Sequence, residues 1–377
     1  MQTRRMYKFR IYPTKPAQHS LDNTLRLCRE LYNAALTERR EAYRMKGISL
    51  NYYDQQNQLP EIKEIRTDLA SVHSQVLQDV LKRVDLAFKG FFTRIKRGVK
   101  AGFPRFQGRN RYDSFTFPQG GWSIKNDKLT LSKIGTIKVK FHREVLGKVK
   151  TCTIKREAGN IWFVVFPVEI EIETPQYHPG GAIGIDVGLE HFANLSNGEQ
   201  IENPRFYRKA QKKLAKIQRK WDKVKRLSRR NPLKRKASLA LSRAHRKTKN
   251  CRLDFQHKLS TNLVTTYSLI AVEDLNIKGL GAGMLAKSVN DAGWSSFIAM
   301  LRYKVENTGS KLIEIDPRQT SQICPDCGTV RKKELSERWH SCPCGCEMHR
   351  DIAAAIVIMS RGLATQGLSL DATAFRR

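Results

Sequence analysis

Asp186, Glu273 and Asp351 each stand where an apolar segment meets a loop or a helix start, in a chain that is otherwise strongly basic. Ala182-Ile-Gly-Ile-Asp186 reads as a short apolar strand whose last side chain is acidic, and Leu269-Ile-Ala-Val-Glu273 repeats the pattern about ninety residues on. Asp351 opens the run Ile352-Ala-Ala-Ala-Ile-Val-Ile-Met359, which predicts a buried helix with an acid in its first turn. If the two strands are neighbours in one sheet and the helix packs across it, the acids converge at the sheet's carboxyl edge, where open α/β sheets carry their sites. Oxygen ligands drawn from separate segments suit Mg²⁺ or Mn²⁺ rather than Zn²⁺. Taken singly, Asp186 is explained as well by a turn and Asp351 by a helix cap. Their combination is what points to metal.

A second constellation has softer chemistry. Cys324-Pro-Asp-Cys327-Gly and Cys342-Pro-Cys344-Gly form a C-x2-C, fourteen-residue spacer, C-x-C pattern. Four thiolates in two tight turns match structural, tetrahedral Zn²⁺, and the glycine after each pair permits the turn. The second pair is one residue tighter than C-x2-C, and Cys346 can substitute for Cys342 or Cys344. Redox activity is the alternative, without the thioredoxin-like context that such pairs need.

The elements that must position these groups follow from composition and periodicity. The 377 residues are 40% apolar, enough for two or three domains. A net charge of +34, from 69 Lys plus Arg against 35 Asp plus Glu, calls for a polyanion at the surface, and nucleic acid is the expected one. No segment approaches the roughly twenty apolar residues of a membrane span, and no apolar signal core follows the basic start. With five of eight cysteines crowded at 324–346, the expectation is a soluble, cytoplasmic protein in a reducing compartment, with no membrane partner.

Lys8-Phe-Arg-Ile-Tyr-Pro13 predicts an opening strand, and helical spacing follows over residues 17–45 and 68–99. The cluster Phe88, Phe91 and Phe92 reads as helical core rather than a base-stacking platform. Alternation over residues 114–171 predicts a mostly antiparallel barrel or sandwich, so the helices form an insertion into a β domain. Between Arg205 and Lys249 there are twenty Lys or Arg and one acid, Asp222. Tyr207, Ala210, Leu214, Ile217, Trp221 and Val224 keep a helical spacing there, and Asn231-Pro232 breaks the helix, so a hairpin with one apolar seam is expected. Its unpaired cations Arg208, Lys209, Lys212, Lys213, Lys216, Arg219 and Lys220 are candidate nucleic-acid contacts. Lys311-Leu-Ile-Glu-Ile-Asp316 supplies a further strand, and Gly279-Leu-Gly-Ala-Gly283 reads as a lid beside the site rather than a phosphate loop.

Gly184-Ile-Asp186-Val-Gly-Leu, Val272-Glu273-Asp-Leu-Asn, Asp316-Pro-Arg-Gln-Thr-Ser-Gln-Ile-Cys324 and Cys344-Gly through His349-Arg-Asp351 closely resemble the TnpB family of transposon-encoded RNA-guided nucleases, which are similar to compact type V CRISPR effectors. The resemblance extends over essentially the whole chain, through Phe9-Arg-Ile-Tyr-Pro13, Ala87-Phe-Lys-Gly-Phe-Phe92 and Gly102-Phe-Pro-Arg-Phe106.

It implies an α/β multidomain fold. A β-barrel-like wedge domain would span residues 1–16 and 104–178, with a helical recognition insertion at 17–103. A RuvC/RNase H-like mixed-sheet nuclease domain would span 179–320 and 347–366, with the basic hairpin at 205–258. A zinc-binding target-nucleic-acid-loading module would occupy 321–346, and a tail 367–377.

The resemblance also makes Asp186, Glu273 and Asp351 the catalytic acids of a two-ion site for phosphodiester hydrolysis, Asp186 shared and the others holding one ion each. Tyr52, Ser74, Gln75, Gln78 and Thr116 match positions that read a short duplex motif. The implied partners are a guide RNA from the transposon end and double- and single-stranded DNA, with the protein monomeric on its RNA and target choice delegated to base pairing. Two departures stand out: Ala353 replaces an Asn the family carries two residues after its last catalytic Asp, and the second cysteine pair is shortened. Rival readings are a nuclease-inactive RNA-guided DNA-binding protein and a strand-joining transposase.

Overall fold

The computed structural model describes residues 2–109, 111–171, 180–228, 231–334 and 337–367. The chain divides into two compact units, Met1–Glu171 and Ile172–Arg377.

In the first unit, β1 (Gln2–Tyr12) ends at Pro13, which has no N–H for the ladder. Helix α1 (Lys15–Lys46) starts with Thr14 accepting from the Ala17 amide and stops at Gly47, whose φ of 65° suits a residue without Cβ. Helices α2 (Tyr52–Asn57), α3 (Leu59–Ile65) and α4 (Ser74–Lys96) follow. The helical spacing over residues 68–99 predicts one long helix or a helix pair. Instead Thr67–Ser71 is a 3₁₀ turn and buried Val72 is extended, so the long helix begins only at Ser74.

Strands β2 (Ser114–Phe117), β3 (Trp122–Lys125), β4 (Lys128–Leu131), β5 (Gly135–Lys140), β6 (Lys148–Val149), β7 (Cys152–Glu157) and β8 (Ile161–Glu171) complete one antiparallel sheet, ordered β2-β7-β8-β1-β5-β4-β3 with β6 on β8. Because β1 lies between β8 and β5 while α1 to α4 intervene in sequence, the helices are an insertion into the sheet domain. Phe9, Phe115, Trp162 and Phe166 from the strands and Leu21, Leu77 and Val80 from the helices share one core. The aromatic expectation holds for Phe88, which packs on that core, but Phe92 is 53% exposed. The end of α4 runs past the core, and Phe88, Phe91, Phe92 and Phe103 pack on one another with ring centroids 5.2–6.4 Å apart.

The second unit is built on a mixed sheet ordered β11-β10-β9-β12-β13. Its strands are β9 (Ala182–Asp186), β10 (His191–Leu195), β11 (Gln200–Glu202), β12 (Leu269–Glu273) and β13 (Lys311–Ile315). β9, β12 and β13 are parallel; β10 and β11 are antiparallel to their neighbours. Helices α5 (Phe206–Val224) and α6 (Pro232–Thr266) form the predicted hairpin, with Asn231 capping α6 and Pro232 opening it.

Then come α7 (Ile277–Leu280), α8 (Ala286–Ala292) and α9 (Trp294–Thr308), the last two separated by left-handed Gly293. A hairpin of β14 (Trp339–Ser341) and β15 (Glu347–His349) leads into α10 (Arg350–Ala364). The apolar runs of β9 and β12 are explained by burial on both faces. One face packs Ile183, Ile185, Ile270 and Val272 against Phe297 and Leu301 of α9 and Leu263 and Val264 of α6; the other packs Leu269 and Ala271 against Ile358, Met359 and Leu363 of α10. Residues 368–377 of the expected tail, 172–178 of the expected wedge domain, and Arg229 and Arg230 of the basic segment lie outside the described residues. No helix among the described residues is long and apolar enough to cross a membrane.

Candidate functional site

Side chains alternate between the faces of a strand. Since Ile183 and Ile185 face α6 and α9, Gly184 and Asp186 face α10; since Ile270 and Val272 face α6 and α9, Glu273 joins Leu269 and Ala271 on the α10 side. The parallel register pairs Leu269 with Ala182 through Val272 with Ile185, which brings the terminal acids of the two strands side by side. Asp351 enters from the first turn of α10, where the His349 imidazole Nδ1 accepts the Asp351 amide at 3.3 Å.

Two small residues let that helix approach. A Cβ on Gly184 would lie 2.0 Å from the Ala355 carbonyl oxygen and 2.7 Å from the Met359 nitrogen, and one on Gly362 would lie 2.6 Å from the Ala271 Cβ. Ser196 closes the seam, its Oγ accepting from the Gly184 amide at 3.1 Å and donating to the Met359 Sδ at 3.3 Å. The sequence signal for this seam is the strand-interior position of Gly184, the usual sign of close backbone approach.

Burial first, then the neighbouring Glu273 and Asp351 carboxylates, push the Asp186 carboxyl well above the ordinary carboxylate range, with Arg350 opposing. Burial also raises Glu273, opposed by a hydrogen bond from the Thr320 hydroxyl and by the Arg361 charge. A buried Asp186 whose ionisation is opposed by two neighbouring carboxylates makes a site for cationic compensation, and hard oxygen donors fit Mg²⁺ or Mn²⁺. Among the described residues, the sets of metal-capable donors lying entirely within 4.8 Å of one another are cysteine sets. The three carboxylates are therefore spaced more widely than a closed cage for one ion.

Those cysteine sets are Cys324, Cys327, Cys342 and Cys344, and the overlapping Cys324, His340 and Cys346. In the first, Cys324 Sγ is 3.7 Å from Cys344 Sγ and Cys327 Sγ is 3.5 Å from Cys342 Sγ. Sulfurs around a tetrahedral ion with Zn–S of about 2.3 Å stand about 3.8 Å apart, so these are ligand distances rather than disulfides. Gly328 and Gly345, with φ of 74° and 92°, make the two turns that follow the pairs. Hydrogen bonds from the Thr329 hydroxyl and backbone pull the Cys327 thiol down to about 6, toward the thiolate a metal needs. Cys346 stays buried beside Cys324. The hairpin's second strand ends at His349, so this small unit passes directly into the cap of α10. One Zn²⁺ per chain is the expected content by elemental analysis, and Cys327→Ser is expected to release it while Cys251→Ser leaves it bound.

Arg208, Lys209, Lys212, Lys213, Lys216, Arg219 and Lys220 are all exposed on α5, around the buried seam residue Leu214. No ion pair among the described residues involves any of the seven. Replacing Lys212, Lys213, Lys216 and Arg219 by Gln should weaken RNA binding and flatten the plot of log K against log salt by about 3, at roughly 0.7 per lost phosphate contact on a single strand. In the first unit, Ser74, Gln75 and Gln78 share the first turns of α4, on which both α2, begun by Tyr52, and β2, carrying Thr116, pack. Three of the five are already engaged: Ser74 Oγ accepts from Lys63 Nζ at 2.9 Å, Gln75 Oε1 accepts the Gly120 amide at 3.0 Å, and Thr116 Oγ1 accepts from Arg83 at 2.8 Å.

Three family profiles match the chain: a "Probable transposase" profile over residues 165–282, a "Cas12f1-like, TNB domain" profile over 294–358, and a "Helix-turn-helix domain" profile over 1–47. A Streptomyces pristinaespiralis protein named "Putative RNA-guided DNA endonuclease" is 33% identical over 372 residues, covering 96% of this chain and 90% of the relative. The chain belongs to the TnpB (IS605 OrfB) family. InsQ of Escherichia coli K12, which carries the same designation, is 30% identical and spans 89% of this TnpB-family chain and 86% of its own length. A solved Cas12f1–sgRNA–target DNA complex has the same fold at 14% identity and TM-score 0.57, covering 92% of this chain and 83% of that one. Within the helix-turn-helix profile, this family member has one strand and one long helix.

Proposed function

We propose that this TnpB-family protein is an RNA-guided DNA endonuclease that hydrolyses phosphodiester bonds at the edge of its mixed sheet. The observation that carries the reading is the meeting of Asp186, Glu273 and Asp351 on the α10 side of β9 and β12, with the ionisation of Asp186 opposed by the other two. The sheet order and its covering helices support a RuvC/RNase H-like domain, and relatives over nearly the whole chain bear the endonuclease name.

When bound, Mg²⁺ or Mn²⁺ supplies Lewis acidity at the scissile phosphate. Asp186, on the central strand of the sheet, would hold the metal together with Glu273 and Asp351 on either side of it. Arg350, beside Asp186, and Arg361, near Glu273, limit the mutual repulsion of the acids. Zinc held by Cys324, Cys327, Cys342 and Cys344 would be structural, stapling a segment too small to have its own core.

We assign the wedge, recognition, nuclease and loading regions the boundaries that the family resemblance implies. The exposed cations of α5 take RNA or DNA phosphates, and Tyr52, Ser74, Gln75, Gln78 and Thr116 face the duplex motif. The partners are a guide RNA from the transposon end and the DNA target, with the protein acting in the cytoplasm as a monomer on its RNA.

A plasmid bearing the target and its adjacent motif should be cut by the protein with guide RNA and Mg²⁺, and RNase treatment during assembly should abolish cutting. Retarded but uncut DNA would instead assign an occupancy role, and strand-transfer products formed without RNA a transposase.

A further inference from the structure

We propose that Thr320 is a positioning residue for Glu273, through which the stalk of the cysteine module sets one wall of the acidic site. This rests on the reading of Glu273 as a metal ligand.

Thr320 Oγ1 donates to Glu273 Oε1 at 2.5 Å, and Thr320 is 4% exposed. A hydroxyl has one hydrogen, so the short contact to the carboxylate takes it, in preference to the Pro317 carbonyl at 3.2 Å. That bond satisfies one carboxylate oxygen and leaves Oε2 as the oxygen offered to a cation. The hydroxyl is itself held from two directions. From α10, Arg361 donates to the carbonyls of Asp316 and Arg318 at 2.9 and 2.8 Å. Toward the cysteines, the Gln319 carbonyl accepts the Gln322 and Ile323 amides at 2.9 and 3.1 Å, with Gln319 in the left-handed region at φ 62°. Cys324 follows four residues after Thr320. A non-glycine residue held at positive φ marks a backbone over-determined by its surroundings, and here the backbone so held is the one that aims the hydroxyl. Partners that orient a metal ligand are typically worth 10–100-fold in metal affinity.

The test uses the full chain with Thr320→Val, which keeps the shape and removes the donor, Thr320→Ser, which keeps the donor, and Glu273→Ala. Mn²⁺ binding to the protein is followed by electron paramagnetic resonance, and the Mg²⁺ dependence of plasmid cleavage is measured with guide RNA. Thr320→Val should weaken the Mn²⁺ sites that Glu273→Ala removes by about tenfold or more and raise the half-saturating Mg²⁺ by a similar factor. Thr320→Ser should stay within about twofold of the parent. Zinc content and guide-RNA affinity should be the same in all three. Wild-type Mn²⁺ binding by Thr320→Val, or a Thr320→Ser protein as weak as Thr320→Val, overturns the proposal alone. Mn²⁺ binding and cleavage that survive Glu273→Ala overturn the assignment of Glu273 as a ligand and the proposal with it.

Discussion

Asp186→Ala is expected to lower target cleavage by about three orders of magnitude or more, roughly 4 kcal/mol of transition-state stabilisation, with guide and target binding retained. Asp186 ends β9, the central strand of the five-stranded sheet, and is the acid on which both others act electrostatically. Removing it takes away the group common to both halves of the proposed ion site, whereas the cations proposed to hold phosphates lie elsewhere on the chain, on α5. A gel-shift assay beside plasmid cleavage separates the two effects, and undiminished cutting would end the assignment.

The same cluster predicts a stability trade-off. A carboxyl whose pKa is raised on folding binds protons more readily in the native than in the unfolded chain, so stability falls as pH rises above the unfolded value of about 3.9. Asp186→Asn should therefore raise the Tm of the protein held in chelator at pH 7 and make no difference near pH 3. Equal melting of the two proteins at pH 7 would show that burial and the neighbouring acids do not oppose the ionisation of Asp186.

The second large effect is structural. Gly184→Ala is expected to cost about 3 kcal/mol, because its new Cβ would sit 2.0 Å from a backbone oxygen of α10. A backbone atom cannot swing aside as a side-chain tip can, so the helix must lift from the sheet, and with it the first turn carrying Asp351. At 2–4 °C per kcal/mol, Tm should drop by roughly 6–12 °C. Nuclease activity should fall in the molecules that remain folded. Unchanged melting together with full activity would mean that α10 is not seated on β9 as described.

Much of the architecture was legible before folding was considered. The apolar runs that end in Asp186 and Glu273, the helix that opens with Asp351, the cationic hairpin broken at Asn231-Pro232 and the first strand ending at Pro13 all carry local signals: periodicity, caps and breakers that act within a few residues. The break between the 3₁₀ turn and α4 was missed because Val72 is extended for the sake of burial, which overrides the helical spacing around it. Phe92 was misassigned for a related reason. Periodicity tells which face of α4 is apolar but not where the core beneath it ends.

By itself, then, the order of residues determined which acids, thiols and cations exist, which elements bear them, and that the cysteine turns need glycine. Only the tertiary structure decided that β9 and β12 are parallel neighbours, that Asp186 and Glu273 therefore share the face covered by α10, and that Thr320 reaches Glu273 across 47 positions of sequence. The physical reason is range. Strand and helix preferences are settled among neighbours in the chain, whereas pairing register, close helix approach at a residue lacking Cβ, and the electrostatic coupling of carboxylates are properties of contacts that exist only once distant segments have packed.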